Sequence, residues 1–373
     1  MPTISSDSGE PQLLPGTRVV AQSPHREAAT TVTRDTSLFI QGDNAIASNK
    51  GKLVSIPIDR ASQKESEDGA TVATIKAVVQ GFLDQLSYRS PQTPQNVDMR
   101  RDIAAEIVSW NDGLDPSFVK GLTDTSCTIA ETAYKHTNYE HQFIAALYTA
   151  YLTYSDDIGQ HNVEVLGEYV QRFTRGQAQS MVAFERLTTL LGTLHEFYPR
   201  ISADAIIANS LDSFTAMYIE LVTKDVPIHP SADRYPFYLR LKAGIASAYA
   251  HLNFTKSWGD ATGNFYLQVL PELELITVGI NDILSFYKET LAGETDNYVH
   301  LRAAAERKPP LKVFKELVDE NVESIRKIEK LAVCQEGLAE ICHSYIMGYI
   351  EFHLVARRYR LEEVVDVTRY LSA

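Results

Sequence analysis

The apolar residues of this chain recur with the period of an α-helix from about residue 70 onward. The segment 71–87 mixes apolar and polar residues at helical spacing, and proline is absent between residues 117 and 198 and again from residue 311 to the end. Long proline-free stretches without the strict alternation of a strand favour helices. The pattern therefore predicts an all-α body of ten or more helices, several of them apolar enough to be central.

Prolines divide the second half of this body into separate helices. Pro236 and Pro271 suit the first turn of a helix, which is the helical position that tolerates proline best. The predicted helices lie near Ser202–Leu221, Tyr235–Leu252, Pro271–Leu291, Leu311–Leu331 and Glu336–Glu363.

Residues 1–65 differ in composition from the remainder. They hold five of the fifteen prolines and a single aromatic residue, Phe39, and they are rich in Ser, Thr, Gln and Gly. Such a segment cannot bury much apolar surface. We expect a disordered or loosely packed N-terminal extension over residues 1–65 and one folded domain over residues 66–373.

Charge and composition narrow the possible partners. The 373 residues carry a net charge of −13, so the surface as a whole repels nucleic acid and anionic membranes. No apolar run reaches the roughly 18 residues of a membrane span, and the early Asp7 and Glu10 argue against a signal peptide. The three cysteines show no Cys-x-x-Cys spacing. We therefore expect a cytoplasmic protein that does not insert into membranes.

One predicted helix carries a stripe of polar side chains. Asn281, Ser285 and Glu289 recur at i, i+4 and i+8, and Lys288 falls on the same face, because these positions stay within about 80° on a helix of 3.6 residues per turn. Amide, hydroxyl and carboxylate oxygens are ligands that Mg²⁺ accepts, usually together with substrate phosphate. An ammonium group also suits a phosphate. The stripe predicts a divalent metal ion and a diphosphate held side by side.

A solvated helix face is the usual meaning of such a stripe. Here, residues 273–280 form a nearly unbroken apolar run directly before it. The stripe thus continues a helix that should be largely buried, and buried polar groups need partners. The flanking sequence therefore favours the metal site.

The acidic pair Asp156-Asp157 ends another apolar helix, predicted over His141–Ile158. Adjacent carboxylates at a helix C-terminus oppose the helix dipole, and a bound cation would offset that cost. Most such pairs are solvated helix ends. Because the chain also carries the stripe at 281–289, we interpret this pair as a second group of metal-binding side chains.

Basic residues form a third cluster, Arg357-Arg358-Tyr359-Arg360, at the end of the predicted apolar helix Ile341–Val355. The helix dipole alone favours arginines there. The functional alternative is a guanidinium fork that grips phosphate oxygens, with the tyrosine hydroxyl donating a further bond. Arg240 is a similar candidate on another helix.

Aromatic residues form a stripe on the same C-terminal helix. Tyr345, Tyr349 and Phe352 repeat at i, i+4 and i+7. A stripe of this kind is most often core, and it could equally line a cavity whose contents are apolar or cationic.

Taken in order, these segments resemble the fungal terpene cyclases related to trichodiene synthase, from about residue 71 to 363. The motifs that carry the resemblance are Tyr-x-Asp-Asp at 154–157, Tyr-Pro-x-x-Leu-Arg at 235–240, Asn-Asp-x-x-Ser-Phe-Tyr-Lys-Glu at 281–289 and His-Leu-x-x-Arg-Arg-Tyr-Arg-Leu at 353–361. The resemblance implies a class I terpenoid synthase fold, a helical bundle around a central apolar cavity. It also implies that the two metal motifs face each other across the cavity mouth and that a homodimer is plausible.

The same resemblance assigns roles to the site residues. The implied ligands of Mg²⁺, three ions when substrate is bound, are Asp156, Asn281, Ser285 and Glu289. The residues implied to hold the diphosphate are Arg240, Lys288, Arg358 and Tyr359. Asp157 is implied to pair with Arg358 when the site closes, so the implied catalytic group is Asp156, Asp157, Arg358 and Tyr359.

The implied substrate is farnesyl diphosphate, which would ionise and cyclise to a sesquiterpene hydrocarbon or alcohol. The cavity must then be apolar, with aromatic faces that stabilise the carbocation. The candidate lining residues are Leu152, Thr153, Tyr349 and Phe352. The chain departs from the family pattern after the acidic pair, where Ile158-Gly159-Gln160 stand in place of the usual further acidic residues, and at Ala356, where an aspartate is usual. A product other than trichodiene, such as longiborneol, fits at least as well.

Two other functions stay open from the sequence. A prenyl diphosphate chain-elongating enzyme would use similar metals and a similar fold, but it normally has a second aspartate-rich motif instead of the Asn/Ser/Glu stripe. A non-catalytic helical scaffold would need neither metal nor diphosphate.

Overall fold

A computed structural model describes residues 60–370 except Asp112, Asp225 and Pro230, without the side chains of residues 60–70 and 260–262. Nearly all of the predicted extension over residues 1–65 lies outside the described residues. Within the described part, the fold is all-α, as predicted.

The described part of the chain contains fourteen α-helices, in agreement with the prediction of ten or more. They are α1 (Arg60–Gln85), α2 (Val97–Val108), α3 (Pro116–Ala133), α4 (Tyr139–Gly159), α5 (Val163–Thr174), α6 (Val182–Phe197), α7 (Arg200–Val222), α8 (Tyr235–Ala243), α9 (Ala246–His251), α10 (Lys256–Thr262), α11 (Leu270–Ala292), α12 (Tyr298–Glu306), α13 (Pro310–Ala332) and α14 (Leu338–Val355). A short 3₁₀ turn lies between α10 and α11 at Phe265–Gln268, and three more follow α14 at Arg357–Tyr359, Leu361–Glu363 and Val367–Tyr370.

The helix starts agree with the positions of the prolines. Pro236 and Pro271 lie in the first turns of α8 and α11, where a missing backbone N–H costs nothing. The helices predicted near residues 202–221, 271–291 and 311–331 match α7, α11 and α13 to within two residues at each end.

Two predicted helices were too long. The helix expected over Tyr235–Leu252 breaks between α8 and α9, where Ile245 takes the left-handed φ of 55°. A Cβ on the preceding Gly244 would lie 2.5 Å from Val278 and 2.8 Å from the Arg240 carbonyl oxygen, so the chain turns where only glycine fits. The helix expected over Glu336–Glu363 ends at Val355, because Ala356 is extended with ψ 108°.

The core is organised around α11, whose residues are buried over most of its length. It packs against α1, α9, α13 and α14, while α3 packs against α4 and α14. Gly348 of α14 permits an especially close approach, since a Cβ there would lie 1.9 Å from the carbonyl oxygen of Thr132 on α3. Helices α3, α4, α7, α8, α9, α11 and α14 leave a cavity between them.

Candidate active site

The cavity has a volume of about 290 Å³ and two kinds of lining. Its larger apolar and aromatic residues are Ile129, Leu152, Met217, Ile245, Tyr249, Tyr349 and Phe352. Its charged and strongly polar residues are Asp156, Glu220, Arg240, Asn281, Arg358 and Tyr359. Apolar walls combined with a few convergent polar groups are the usual composition of a small-molecule site.

The structure brings most of the predicted site residues to this one cavity. Asp156 comes from α4, Arg240 from α8 and Asn281 from α11, while Arg358 and Tyr359 come from the turn after α14. The four predicted lining residues, Leu152, Thr153, Tyr349 and Phe352, are also in contact with the cavity.

Four predicted residues do not line the cavity but lie next to it. Ser285, Lys288 and Glu289 follow Asn281 along α11, and Lys288 Nζ is 3.4 Å from Glu289 Oε1. Glu289 is close enough to Tyr359 to interact electrostatically with it. Asp157 likewise interacts electrostatically with Arg358. In the part of the chain that the structure describes, these two side chains do not form an ion pair.

The oxygen atoms of the α11 stripe fit a hard divalent cation such as Mg²⁺. The Ser285 hydroxyl is buried and has no hydrogen-bond partner among the described residues, an arrangement that costs free energy unless something else binds it. Among the described residues, no three His, Cys, Asp or Glu side chains are grouped to hold a metal. A cation here would therefore depend on amide and hydroxyl oxygens as well as carboxylates.

The acidic pair on α4 sits in an environment that disfavours negative charge. Burial, together with the neighbouring Asp157, raises the pKa of Asp156, although Arg358 and Arg240 act in the opposite direction. Burial also raises the pKa of Asp157, against the effect of Arg358 and His161. A cation bound beside these carboxylates would relieve this cost.

Arg240 is held by two neighbours on α11. Its Nε donates to the two carboxylate oxygens of Asp282 at 2.9 and 3.1 Å, and its Nη2 donates to Asn281 Oδ1 at 2.9 Å. Burial raises the pKa of Asp282 to about 6 in spite of this arginine. Asp282 was not among the predicted site residues, although its position directly after Asn281 in a helix expected to be buried could have indicated it.

Glu220 is a second candidate functional residue that was not among the predicted site residues. It lies in the last turn of α7, and its carboxylate faces the cavity near Arg240 and Asp156. Burial and the charge of Asp156 raise the pKa of Glu220 to about 7, because the opposing effect of Arg240 is too small to cancel them. In the sequence, Glu220 stands out only as an acidic residue near the end of an apolar helix, which is weak evidence for a functional role.

The aromatic stripe of α14 forms a stacked wall. The Tyr345 and Tyr349 rings are 5.6 Å apart at 9°, and those of Tyr349 and Phe352 are 6.0 Å apart at 18°. Tyr249 adds a further ring, fixed by its hydroxyl, which donates to Thr149 Oγ1 at 3.1 Å. Such faces can stabilise a cation inside an otherwise apolar space.

A larger cavity of about 780 Å³ lies against another face of α11 and includes Leu275, Gly279 and Asp282. None of the predicted site residues lines it. Size alone therefore does not identify the site; the convergence of acidic, basic and aromatic groups does.

An all-α bundle whose cavity joins an aspartate of α4, the first residue of the polar stripe of α11, two arginines and an aromatic wall has the architecture of a class I terpene synthase. The fold is that of linalool/nerolidol synthase from Streptomyces clavuligerus, solved in complex with 2-fluorogeranyl diphosphate, with a TM-score of 0.56 over 71% of this chain and 99% of that chain, at 12% identity. The family model described as Trichodiene synthase (TRI5) matches residues 68–371. The chain belongs to the trichodiene synthase family and is a terpene synthase, as the motifs predicted.

Curated relatives agree with this assignment. Terpene synthase BipA from Cochliobolus sativus is 27% identical over 308 residues, covering 80% of this chain and 93% of BipA. Longiborneol synthase CLM1 from Gibberella zeae is 27% identical over 247 residues, covering 64% of this chain and 71% of that enzyme. In the described residues, no helix is both long enough and apolar enough to cross a membrane.

Proposed function

We propose that this chain is a Mg²⁺-dependent sesquiterpene cyclase that ionises farnesyl diphosphate and cyclises the resulting carbocation. The observation that carries the proposal is the placement of Asp156 on α4 and Asn281 on α11 around one cavity with Arg240, Arg358 and Tyr359. Groups that favour a metal ion, groups that favour a phosphate and an aromatic wall are there within reach of one small molecule.

Asp156, Asn281, Ser285 and Glu289 are the residues that would hold Mg²⁺. When bound, the metal would supply Lewis-acid neutralisation of the leaving diphosphate. Arg358 and Tyr359 would bind diphosphate oxygens as planar and hydroxyl donors, and Lys288 would add a point charge. Arg240 would join them once its bonds to Asn281 and Asp282 yield.

The reaction breaks the allylic C–O bond, with the electron pair leaving on the diphosphate and an allylic cation remaining. The faces of Tyr349, Phe352 and Tyr249 would stabilise this cation, and the apolar walls would keep out water that would quench it early. Loss of a proton to the released diphosphate, either directly from the cation or after one water molecule has added to it, gives a neutral product. The proposed product is a cyclic sesquiterpene such as longiborneol or a trichodiene-like hydrocarbon.

Product analysis tests the proposal directly. Purified protein with farnesyl diphosphate and Mg²⁺ should release a cyclic C15 hydrocarbon or alcohol, detected by gas chromatography with mass spectrometry, and a chelator should abolish it. Geranyl diphosphate in parallel tests for a shorter substrate. A lengthened diphosphate would instead identify a chain-elongating enzyme, and no turnover of either substrate would overturn the proposal.

Variants of the stripe test the metal assignment. Asn281→Ala and Glu289→Ala should each lower kcat by at least about 100-fold, because each removes an oxygen ligand, while the circular dichroism spectrum stays unchanged. Glu168→Ala, an exposed residue of α5 paired with Arg172, is the matched control and should keep full activity. Wild-type turnover in both stripe variants would refute the assignment.

The cellular setting is part of the proposal. The buried thiols of Cys127 and Cys342 are free, which suits a reducing compartment, and we propose that the enzyme acts in the cytoplasm. The net charge of −13 disfavours nucleic acid as a partner. The homodimer stays a prediction, and sedimentation analysis of the purified protein would test it.

A further inference from the structure

His353 is a buried residue of α14 that contacts the polar stripe of α11. Its Nδ1 lies 2.8 Å from the carbonyl oxygen of Tyr349, and its Nε2 lies 3.1 Å from Asn281 Nδ2. A carbonyl oxygen can only accept, so Nδ1 must carry the ring proton. In the neutral ring, Nε2 is then the acceptor, and the amide nitrogen of Asn281 donates to it.

The Asn281 amide has opposite partners at its two ends. Its oxygen accepts from Arg240 Nη2 at 2.9 Å, and arginine can only donate. Its nitrogen donates to His353 Nε2 and, at 3.4 Å, to the Tyr359 hydroxyl. If the amide were rotated by half a turn, two donors would face each other at one end and two acceptors at the other. Only one orientation of the amide satisfies both partners.

The two contacts differ in how they respond to a cation. Arg240 binds the same oxygen that a metal ion would use, so that contact and the metal compete. The contact with His353 involves only the nitrogen, so it can persist with a cation on the oxygen. The Tyr359 hydroxyl also lies near this nitrogen, at 3.4 Å, but a hydroxyl can donate as well as accept and so tolerates either orientation of the amide. His353 is therefore the partner that can fix the amide in the metal-bound state.

Packing alone does not explain this residue. The imidazole ring lies 4.7 Å from Tyr349, 4.8 Å from Phe352 and 4.5 Å from Tyr359, measured between ring centroids. A phenylalanine would fill the same space among these aromatic rings. What a phenylalanine lacks is the acceptor nitrogen that faces Asn281.

We propose that His353 is a positioning residue that holds the Asn281 amide with its oxygen toward the cation. Without this acceptor, the amide can rotate and present its NH₂ group, which repels a cation. The inference rests on the proposed role of Asn281 as a metal ligand. Partners of this kind, one bond beyond the ligand, typically change metal affinity by about 10- to 100-fold.

The test measures the affinity for Mg²⁺ in the presence of inorganic diphosphate, by titration calorimetry, without turnover. His353→Phe should weaken Mg²⁺ binding by about 10-fold, while His353→Gln, whose amide oxygen can replace Nε2 as an acceptor, should restore most of it. The gain in melting temperature on adding Mg²⁺ and diphosphate should follow the same order. Equal affinities in wild type and His353→Phe would overturn the inference.

A double-mutant cycle separates positioning from a general structural effect. Asn281→Asp replaces the amide by a carboxylate whose two oxygens are equivalent, so its rotation no longer matters. His353→Phe should then weaken Mg²⁺ binding about 10-fold in the wild-type background and little in the Asn281→Asp background. Equal losses in both backgrounds would show a structural role and overturn the inference.

Asn281→Ala distinguishes failure of the proposed metal site from failure of the proposed role of His353. If this variant binds Mg²⁺ and diphosphate like the wild type, the proposed metal site itself fails. If it loses binding while His353→Phe keeps wild-type affinity, the metal site stands and only the role of His353 fails. Should His353→Phe not fold, His353→Leu, which also lacks an acceptor, takes its place in both backgrounds and gives the same decision.

Discussion

Single residues around the cavity carry charges that are stabilised mainly by one another. Although burial lowers the pKa of Arg240, the adjacent Asp282 raises it above its ordinary value. The same pairing does not bring the pKa of Asp282 down to that of an exposed aspartate. An intact buried pair of this kind adds little net stability, but removing one partner leaves an uncompensated charge.

Asp282→Ala should therefore destabilise the folded protein. The variant should lower the free energy of unfolding by about 3 kcal/mol, since the buried guanidinium of Arg240 loses its carboxylate. Glu168→Ala, which breaks the exposed pair with Arg172, should cost less than about 1 kcal/mol. Urea denaturation followed by circular dichroism measures both values, and similar losses in the two variants would contradict the prediction.

Residue spacing could predict which side chains share a helix face, but not which cavity that face meets. The i, i+4, i+8 pattern of Asn281, Ser285 and Glu289 placed them on one stripe of α11, and α11 is indeed helical throughout. Asp282 is only about 100° further round the same helix, yet it lines the other cavity and holds Arg240. The role of Asp282 depends on Arg240 of α8, which is distant in sequence, so it could not be predicted from the local spacing of residues in α11.

Between elements, α3 and α14 approach each other closely at Gly348. The added Cβ at Gly348 would overlap backbone atoms of Thr132 and Ala133 rather than the flexible end of a side chain. Backbone cannot move aside without shifting a helix, and α14 carries both the aromatic wall and His353. The glycine therefore sets the distance between two walls of the cavity.

The prediction is that Gly348→Ala and Gly121→Ala change stability in opposite directions. Gly348→Ala should destabilise the fold by about 3 kcal/mol through overpacking. Gly121 is exposed on α3, and an added Cβ there would have nothing within 4 Å. Gly121→Ala should therefore raise the free energy of unfolding by up to about 1 kcal/mol, because alanine has the higher helix propensity. Thermal melts monitored by circular dichroism compare them, and a stable Gly348→Ala variant would contradict the packing argument.

Element boundaries were predictable where proline sets them and not where packing does. Prolines correctly marked the starts of α8 and α11. The break between α8 and α9 follows from the approach of Val278 to Gly244 and from the left-handed Ile245. An isoleucine in that region is sterically unfavourable, so the sequence itself argued for a continuous helix, and tertiary packing overrode it.

Over the whole molecule, buried titratable groups give stability a dependence on pH. Burial lowers the pKa of His136 and His251 to about 4 and that of His353 to about 3. In the unfolded chain, histidine titrates near pH 6.5. Between about pH 6.5 and 4 the unfolded state therefore binds more protons than the folded state, and stability falls as the pH falls.

Two buried carboxylates act in the opposite direction. The pKa of Glu220 is raised to about 7 and that of Asp282 to about 6, so the folded state holds their protons at a pH where the unfolded state has released them. Their contribution makes stability fall as the pH rises from about 4.5 to 7. The net slope combines these opposing contributions with those of the other buried titratable groups, and removing one group isolates its share.

His251 is the best group for that measurement because it lies outside the proposed metal site and is buried on α9, with its Nδ1 3.1 Å from Ser202 Oγ. His251→Gln keeps a hydrogen-bonding side chain but cannot take up a proton. The loss of unfolding free energy between pH 7 and pH 5 should therefore be smaller in this variant than in wild type, by up to about 1.4 kcal/mol per pH unit. Urea denaturation at both pH values measures the difference, with the exposed His343→Gln as the control that should keep the wild-type loss. An unchanged loss in His251→Gln would mean that the buried imidazole does titrate normally, and that water reaches the space between α7 and α9 in the folded state.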